Sequence, residues 1–450
     1  MSTRRRFLSI AGAAAGAAAL PPPADGMQPQ VKAANIASLQ PPFRLPVDWY
    51  RATVRRFQER IAKAGLGGAI VADVLNRNYL TGIFLTETER PNFLFVPAKG
   101  EPVAFIPGLD RDMAAGWWVK DFEWYFDFPH SGDYNKVVWK AGARADLFQW
   151  MLRSLARRGF GNVKLGIDRE PAPSQERRFR EVLPESSLSD ISRELLGMRM
   201  VKTPEELELM QKAIDLHDAM LSFARGYILE RGARATDNDV RVATEEFGTR
   251  TLMAAMGSEI DGKAHHAVGI GLNFTCRAGA ATAYPHPNQF FYAKLAPGQA
   301  VQISAVIRVG GYGGEGYRAL HIAPMNDLQK KMWDVHTEMT LKQAEMCRAG
   351  AKCNEIGEAT LAIAQKAGME KFVYHRPAHG QGAEGHQAPY LSLGDDTVLA
   401  ENMTFSNEPG LYNLEGGYGY NHSNCVRVAR DRGVIMNKTP LTRDFCWLKI

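Results

Sequence analysis

The chain has 450 residues, 45% of them hydrophobic and 23% charged, with a formal net charge of +5. That length exceeds one ordinary core and the composition is globular, so two domains or one large one are expected and a disordered chain is excluded. Arg4, Arg5 and Arg6 carry three of the positive charges; the remaining charge of about +2 argues against a nucleic-acid binder, and no interior apolar run of about 18 residues predicts a membrane span.

Residues 1–26 read as a twin-arginine export signal: adjacent arginines, Phe7-Leu8, then a weakly apolar Ala/Gly stretch to Leu20. Cleavage is expected between Ala19 and Gly26, with the mature protein delivered to the periplasm after folding. Residues 27–46 form a Pro-rich linker. The stretch "DWYRATVRRFQERIAKAGLGGAIVA" then has apolar positions at helical spacing, a glycine stop and a β-type run over Gly68–Ala72. "NFLFVPAKGEPVAFIPG" predicts a strand, a Lys-Gly-Glu turn and a second strand. A helix near Ala143–Arg158 precedes the strand-like "VKLGID". This alternation predicts an α/β domain over residues 47–196.

"MVKTPEELELMQKAIDLHDAMLSFARGYI" opens the second half. Thr203 is the expected N-cap, Pro204 stands at the first helical position and Glu206 completes a capping box, so a long helix follows. The domain boundary is placed just before it, near Leu196. Helices near 238–250, 328–348 and 354–367, with strands rich in Gly, Val and Ile, give an α+β pattern over residues 197–450. Cys276, Cys347, Cys353, Cys425 and Cys446 are scattered and form no CxxC pair, which argues against a disulfide framework or zinc knuckle.

Four stretches of the second half carry candidate chemistry: His286 in "ATAYPHPNQ", Glu315 in "RVGGYGGEGYRAL", His379 and His386 in "RPAHGQGAEGHQAP", and Glu408 in "MTFSNEPGLY". Each alone has a plain explanation as a turn or surface residue. In order and spacing, however, they resemble the pita-bread superfamily of creatinase, prolidase, aminopeptidase P and methionine aminopeptidase. "VQIS" puts Ser304 where the metal-dependent members have their first Asp. Glu315 falls eleven residues on, at the second Asp, with Arg318 at the following Arg. "AHGQGAEGH" matches the histidine turn and "FSNEPG" the Glu-Pro-Gly motif. "GYNHSNCVRV" puts Asn421 and Ser423 at the final Arg and Glu. His286 matches the histidine preceding the first Asp. The N-terminal "RRFQERIAKAGLGGAIVADVLNRNYLTG" and the interdomain "RMVKTPEELELMQKA" also look like this superfamily. The resemblance implies an α+β chain with a creatinase/prolidase-type N-terminal domain, a C-terminal pita-bread domain and a homodimer.

The departures bear on the chemistry. The two-metal peptidases balance two divalent ions with four carboxylates; here Glu315, Glu408 and His379 remain, enough charge for one ion. Ser304 and Ser423 offer neutral hydroxyls, poor ligands for a dication. Two mechanisms therefore stand: a metal-free site in which His286 is the acid/base group and Glu315 and Glu408 orient the substrate, or a single divalent ion on Glu315, His379 and Glu408. Tyr317, Arg318, Arg376 and His386 are expected to line the same cleft and contact substrate. Gln387, at an acidic position of the peptidase motif, again lowers negative charge. The doublet His265-His266 is read as a loop feature. The leading expectation is an exported creatinase-like hydrolase or lyase acting on a C–N or related bond of a small polar compound. The second is a Xaa-Pro-type peptidase, acting on a short peptide, and the third a non-catalytic binding protein.

Overall fold

In the computed structural model, residues 31–85, 87–128, 146–257, 268–286 and 292–450 are described. The expected export signal, the doublet His265-His266 and the first residues of the linker lie outside them. The rest of the Pro-rich stretch packs against the protein: Leu39, Phe43 and Leu45 are buried in the main apolar core, and the Pro42 carbonyl accepts a hydrogen bond from Lys212 Nζ at 2.7 Å.

A six-stranded sheet organises the first domain, in the order Asp121–Tyr125, Val103–Pro107, Phe93–Pro97, Gly68–Val71, Lys164–Ile167, Ser187–Asp190. Phe93–Pro97 runs antiparallel to both neighbours, as the Lys-Gly-Glu turn requires; the remaining pairings are parallel. Both faces are covered. In the central strand Ala69 and Val71 face one apolar cluster while Ile70 faces another, built on Phe95, Phe105, Met151 and Leu152. The helix expected near 143–158 is described from Leu147. Leu196 lies inside a helix, Ser192–Met200, and the next helix begins at Pro204.

That next helix, Pro204–Arg231, starts as the sequence implies. Thr203 N–H donates to Glu206 Oε2 at 2.7 Å and the Thr203 hydroxyl accepts from Glu206 N–H at 3.4 Å. Helices Asp237–Met256, Asp327–Met346 and Cys353–Lys366 follow at the expected places. Two four-stranded sheets carry the second domain. One has the order Trp447–Leu448, Tyr312–Ile322, Ala300–Val309, Gly271–Ala278; the other runs Ala378–Gly380, Thr404–Asn407, Asn424–Val428, Gly433–Ile435. A β-bridge between Tyr317 and Ser423 joins them. The Pro204–Arg231 helix packs on the first sheet, where Ile303, Ala305, Ile307 and Val309 are fully buried. The opposite face of the same strands turns toward the second sheet and carries the polar residues.

Candidate active site

Strand alternation decides which side chains meet. Ser304 pairs across the sheet with Thr275 and Tyr317, Gln302 with Arg277, and Val306 with Glu315. All of these share one face. His379, on the edge strand Ala378–Gly380, and Glu408, immediately after Thr404–Asn407, approach that face from the second sheet. The turn between His379 and His386 closes tightly: Gly380 N–H donates to the Pro389 carbonyl at 2.9 Å and Gln387 N–H to the Gly380 carbonyl at 3.0 Å. A Cβ on Gly380 would lie 2.9 Å from the Gln387 and Ala388 carbonyl oxygens, which accounts for a glycine beside the histidine.

His379 Nε2 lies 2.8 Å from Glu315 Oε1 and 3.1 Å from Glu408 Oε1. All three residues are buried. Tyr317 donates its hydroxyl proton to the other Glu315 oxygen. His386 stacks on His379, with ring centroids 3.7 Å apart and planes within 17°, and its Nε2 is 3.7 Å from Glu315 Oε1. The charges are interdependent. Burial opposes ionisation of Glu315, but His379 and the Tyr317 hydroxyl hold its pKa below the usual carboxylate range. Burial also opposes a charged His379, yet the two carboxylates raise its pKa well above that of a free imidazole. Burial and the Glu315 charge push Glu408 upward, so it is the last of the two carboxyls to ionise. Burial and the neighbouring His379 lower the pKa of His386.

A cavity of about 340 Å³ opens over this group, lined by His286, Tyr317, Arg376, His379, His386 and Glu408 from the expected set. His286 is exposed at its rim. The Arg376 guanidinium lies 4.0 Å over the Tyr390 ring. Arg318 is a correction. It is fully buried on the opposite face of the strand, one residue out of phase with Glu315 and Tyr317. Its guanidinium donates to the carbonyls of Tyr317, Ser423 and Thr439 and to Asn424 Oδ1 at 2.6–3.0 Å. It ties the two sheets together and does not reach the cleft.

Three cavity residues were not singled out from sequence: Arg277, His375 and Tyr412. Arg277 donates to Gln302 Oε1 at 2.9 Å and to the Pro285 carbonyl at 3.2 Å, anchoring the segment that ends at His286. His375 Nδ1 donates to the Arg376 carbonyl at 2.8 Å, which leaves Nε2 to accept the Tyr412 hydroxyl at 3.0 Å. Asn421 Nδ2 in turn donates to Tyr412 at 3.0 Å, and Asn421 Oδ1 is buried without a partner. Alternation places Arg277 on the face of Thr275 and Ser304, a signal available once the pairing is known.

The donor set fits one divalent ion. His379 Nδ1 donates to the Gly380 carbonyl at 3.1 Å, so Nε2 is the nitrogen that would face an ion once its proton is displaced. His379 Nε2 and Glu315 Oε1 lie within ion-pair distance without being aligned as a hydrogen bond, and both atoms are buried. Ligand atoms of Glu315, His379 and His386 lie within 4.8 Å of one another, so His386 joins the candidate ligand group beside Glu408. Two carboxylates match the charge of one dication. The serines at the other two motif positions carry no charge. Ser304 Oγ is 2.5 Å from Thr275 Oγ1, and Ser423 Oγ, fully buried, is 2.8 Å from Ser406 Oγ. Gln387 adds only an uncharged amide.

Comparison with known proteins meets the geometry at this point. Residues 54–201 match the Creatinase/Prolidase N-terminal domain and residues 208–430 match Metallopeptidase family M24. The chain belongs to the creatinase/prolidase/aminopeptidase P superfamily. It is 24% identical over 379 residues to a Xaa-Pro dipeptidase of Lactobacillus delbrueckii subsp. lactis, covering 84% of this chain and 94% of the relative. It is 23% identical over 391 residues to a creatinase of Bacillus sp., covering 84% and 87% respectively. A recombinant prolidase from Thermococcus sibiricus superposes with a TM-score of 0.68 at 21% identity, over 87% of this chain and 97% of that one, and shares the fold.

Proposed function

We propose that the protein hydrolyses the amide bond of short Xaa-Pro-type peptides at the Glu315–His379–Glu408 centre, with a single divalent ion as its metal complement. The observation that carries this reading is the convergence of both carboxylates on Nε2 of His379, under a cavity of dipeptide size. The dipeptidases among the relatives support peptide cleavage over the creatinase-like chemistry that the sequence alone ranks first.

In this reading the residues divide the work. Arg376 and Asn421 bind the substrate's polar ends: the guanidinium takes the terminal carboxylate and the unpartnered Asn421 Oδ1 takes an N–H. Glu408, the carboxyl that ionises last, accepts a proton from the attacking water and returns it to the leaving nitrogen. The water oxygen joins the carbonyl carbon as the C–N bond breaks, giving a carboxylate and an amine. Tyr317 holds Glu315 in place and His386 faces the substrate. Glu315, His379 and Glu408 would hold the ion, which supplies carbonyl polarisation and a more acidic water when bound.

The neutral hydroxyls of Ser304, bonded to Thr275, and of Ser423, bonded to Ser406, favour a second reading, a metal-free creatinase-like site with His286 as the acid/base group. Mass spectrometry of products from Xaa-Pro dipeptides and from creatine separates the two. Dipeptide cleavage at about 1–10³ per second, with creatine untouched, is the expected result. Cleavage of creatine alone supports the second reading. Recovery of both compounds unchanged supports a binding protein.

A further inference from the structure

A second cavity, of about 380 Å³, lies where the two domains meet. Leu75, Tyr79, Phe84 and Leu85 of the first domain form one wall; Tyr312 and Arg308 of the second form the other. The hairpin turn between the strands of the second domain passes along it at Gly310 and Gly311, both at positive φ. Phe84 rests directly on this backbone: a Cβ on Gly311 would lie 2.7 Å from the Phe84 ring, and one on Gly269 would lie 2.5 Å from it. The aromatic wall is thus fixed by glycines that leave it room.

Arg308 is the only charged residue lining this space among the described residues. It makes no hydrogen bond or ion pair among them, and its Nε is fully buried without a partner. The side chain is half-buried, and a guanidinium N–H withdrawn from water is ordinarily paired, because an unsatisfied buried donor is costly. The acids whose field reaches it are already engaged. Glu384 pairs with Arg199 at 3.0 Å, and Glu315 with His379 and Tyr317. One cation, apolar and aromatic walls, and no acidic side chain describe a receptor for a monoanion with an apolar body.

We propose that this interdomain cavity binds a small carboxylate whose carboxyl group pairs with Arg308 and whose apolar part rests against Phe84 and Leu85. The site is separate from the Glu315–His379–Glu408 centre but adjoins it. Arg308 stands on the same strand face as Ser304, and its Nη2 is 2.9 Å from where a Cβ on Gly385 would be, next to His386.

Benzoate is the probe, with benzyl alcohol as its neutral counterpart, titrated calorimetrically into the full folded protein. Saturable benzoate binding is expected with Kd on the order of 1 mM. Arg308→Gln should weaken it by about tenfold or more. Leu85→Trp provides a check independent of the arginine's role in folding: filling the cavity should abolish binding while the protein stays folded. No saturable binding, equal binding of benzyl alcohol, undiminished binding by Arg308→Gln, or full binding by Leu85→Trp would each overturn the proposal.

Discussion

Glu408 and Arg318 occupy neighbouring motifs and play opposite parts. Among the described residues, Glu408 has only His379 within ion-pair distance, and it faces the cavity. Glu408→Gln keeps its volume and removes the proton acceptor, so turnover of a Xaa-Pro dipeptide should fall about 10²–10⁴-fold while the unfolding midpoint stays near that of the parent. Steady-state kinetics beside a thermal melt measures this, and an unchanged kcat would move the proton transfer elsewhere. Arg318 holds three carbonyls and an amide between the sheets. Arg318→Ala should therefore destabilise the protein by about 3 kcal/mol or more, read from urea unfolding. A variant of parental stability with only a raised KM would return Arg318 to the substrate. The sequence motif named Arg318 together with Glu315 because it records order, not direction. Once the strand period of two is applied, Glu315 and Tyr317 fall on one face and Arg318 on the other. Arg277, His375 and Tyr412 were illegible for a related reason: each lies in a different strand or loop, and only the pairing brings them to one cavity.

Among the elements, the helices were the most legible. Thr203, Pro204 and Glu206 mark the start of the long helix through local hydrogen bonds that the sequence itself encodes. The bridge from Tyr317 to Ser423 and the four-residue central pairing of the second sheet are long-range, and no local periodicity announces them. The same elements enclose four fully buried histidines: His217 on the long helix, His321 on the Tyr312–Ile322 strand, His336 on the Asp327–Met346 helix, and His422. His336 and His422 lie 4.3 Å apart, ring to ring. Burial lowers His217 and His321 to about 4, His336 to about 3, and His422 well below its ordinary value of 6.5. A folded pKa below the unfolded one means that unfolding takes up protons. The stability these neutral rings contribute is complete above pH 6.5 and declines as pH falls from 6.5 toward 4, by up to about 1.4 kcal/mol per pH unit for each ring. Asp237, raised by burial to about 6, acts in the opposite direction over part of that range, so a difference isolates the histidine. Between pH 7.5 and 5.5, His336→Phe should lose less stability in urea than the parent protein. Equal losses would show that His336 does not stay neutral in the fold.

At the scale of the whole molecule, the two matched domains correspond to an order of helices and strands that composition and punctuation already suggested. The packing of Leu39, Phe43 and Leu45 into the main core was not suggested, since they sit in a stretch whose prolines read as a linker. Export is a proposal that belongs to this scale. Arg4→Lys with Arg5→Lys should leave unprocessed protein in the cytoplasm, detected by fractionation and intact mass; normal appearance of processed protein in the periplasm would contradict it. Folding before export would let the protein take its ion from the cytoplasm, which makes the ion count of cytoplasmically folded protein decisive. Elemental analysis after incubation with excess divalent metal and desalting gives that count directly. One ion per chain, lost in His379→Ala, is the result predicted from two carboxylates converging on the Nε2 of a histidine. Two ions per chain would contradict it, because Ser304 and Ser423 would then have to act as ligands, and a count of zero would contradict it equally.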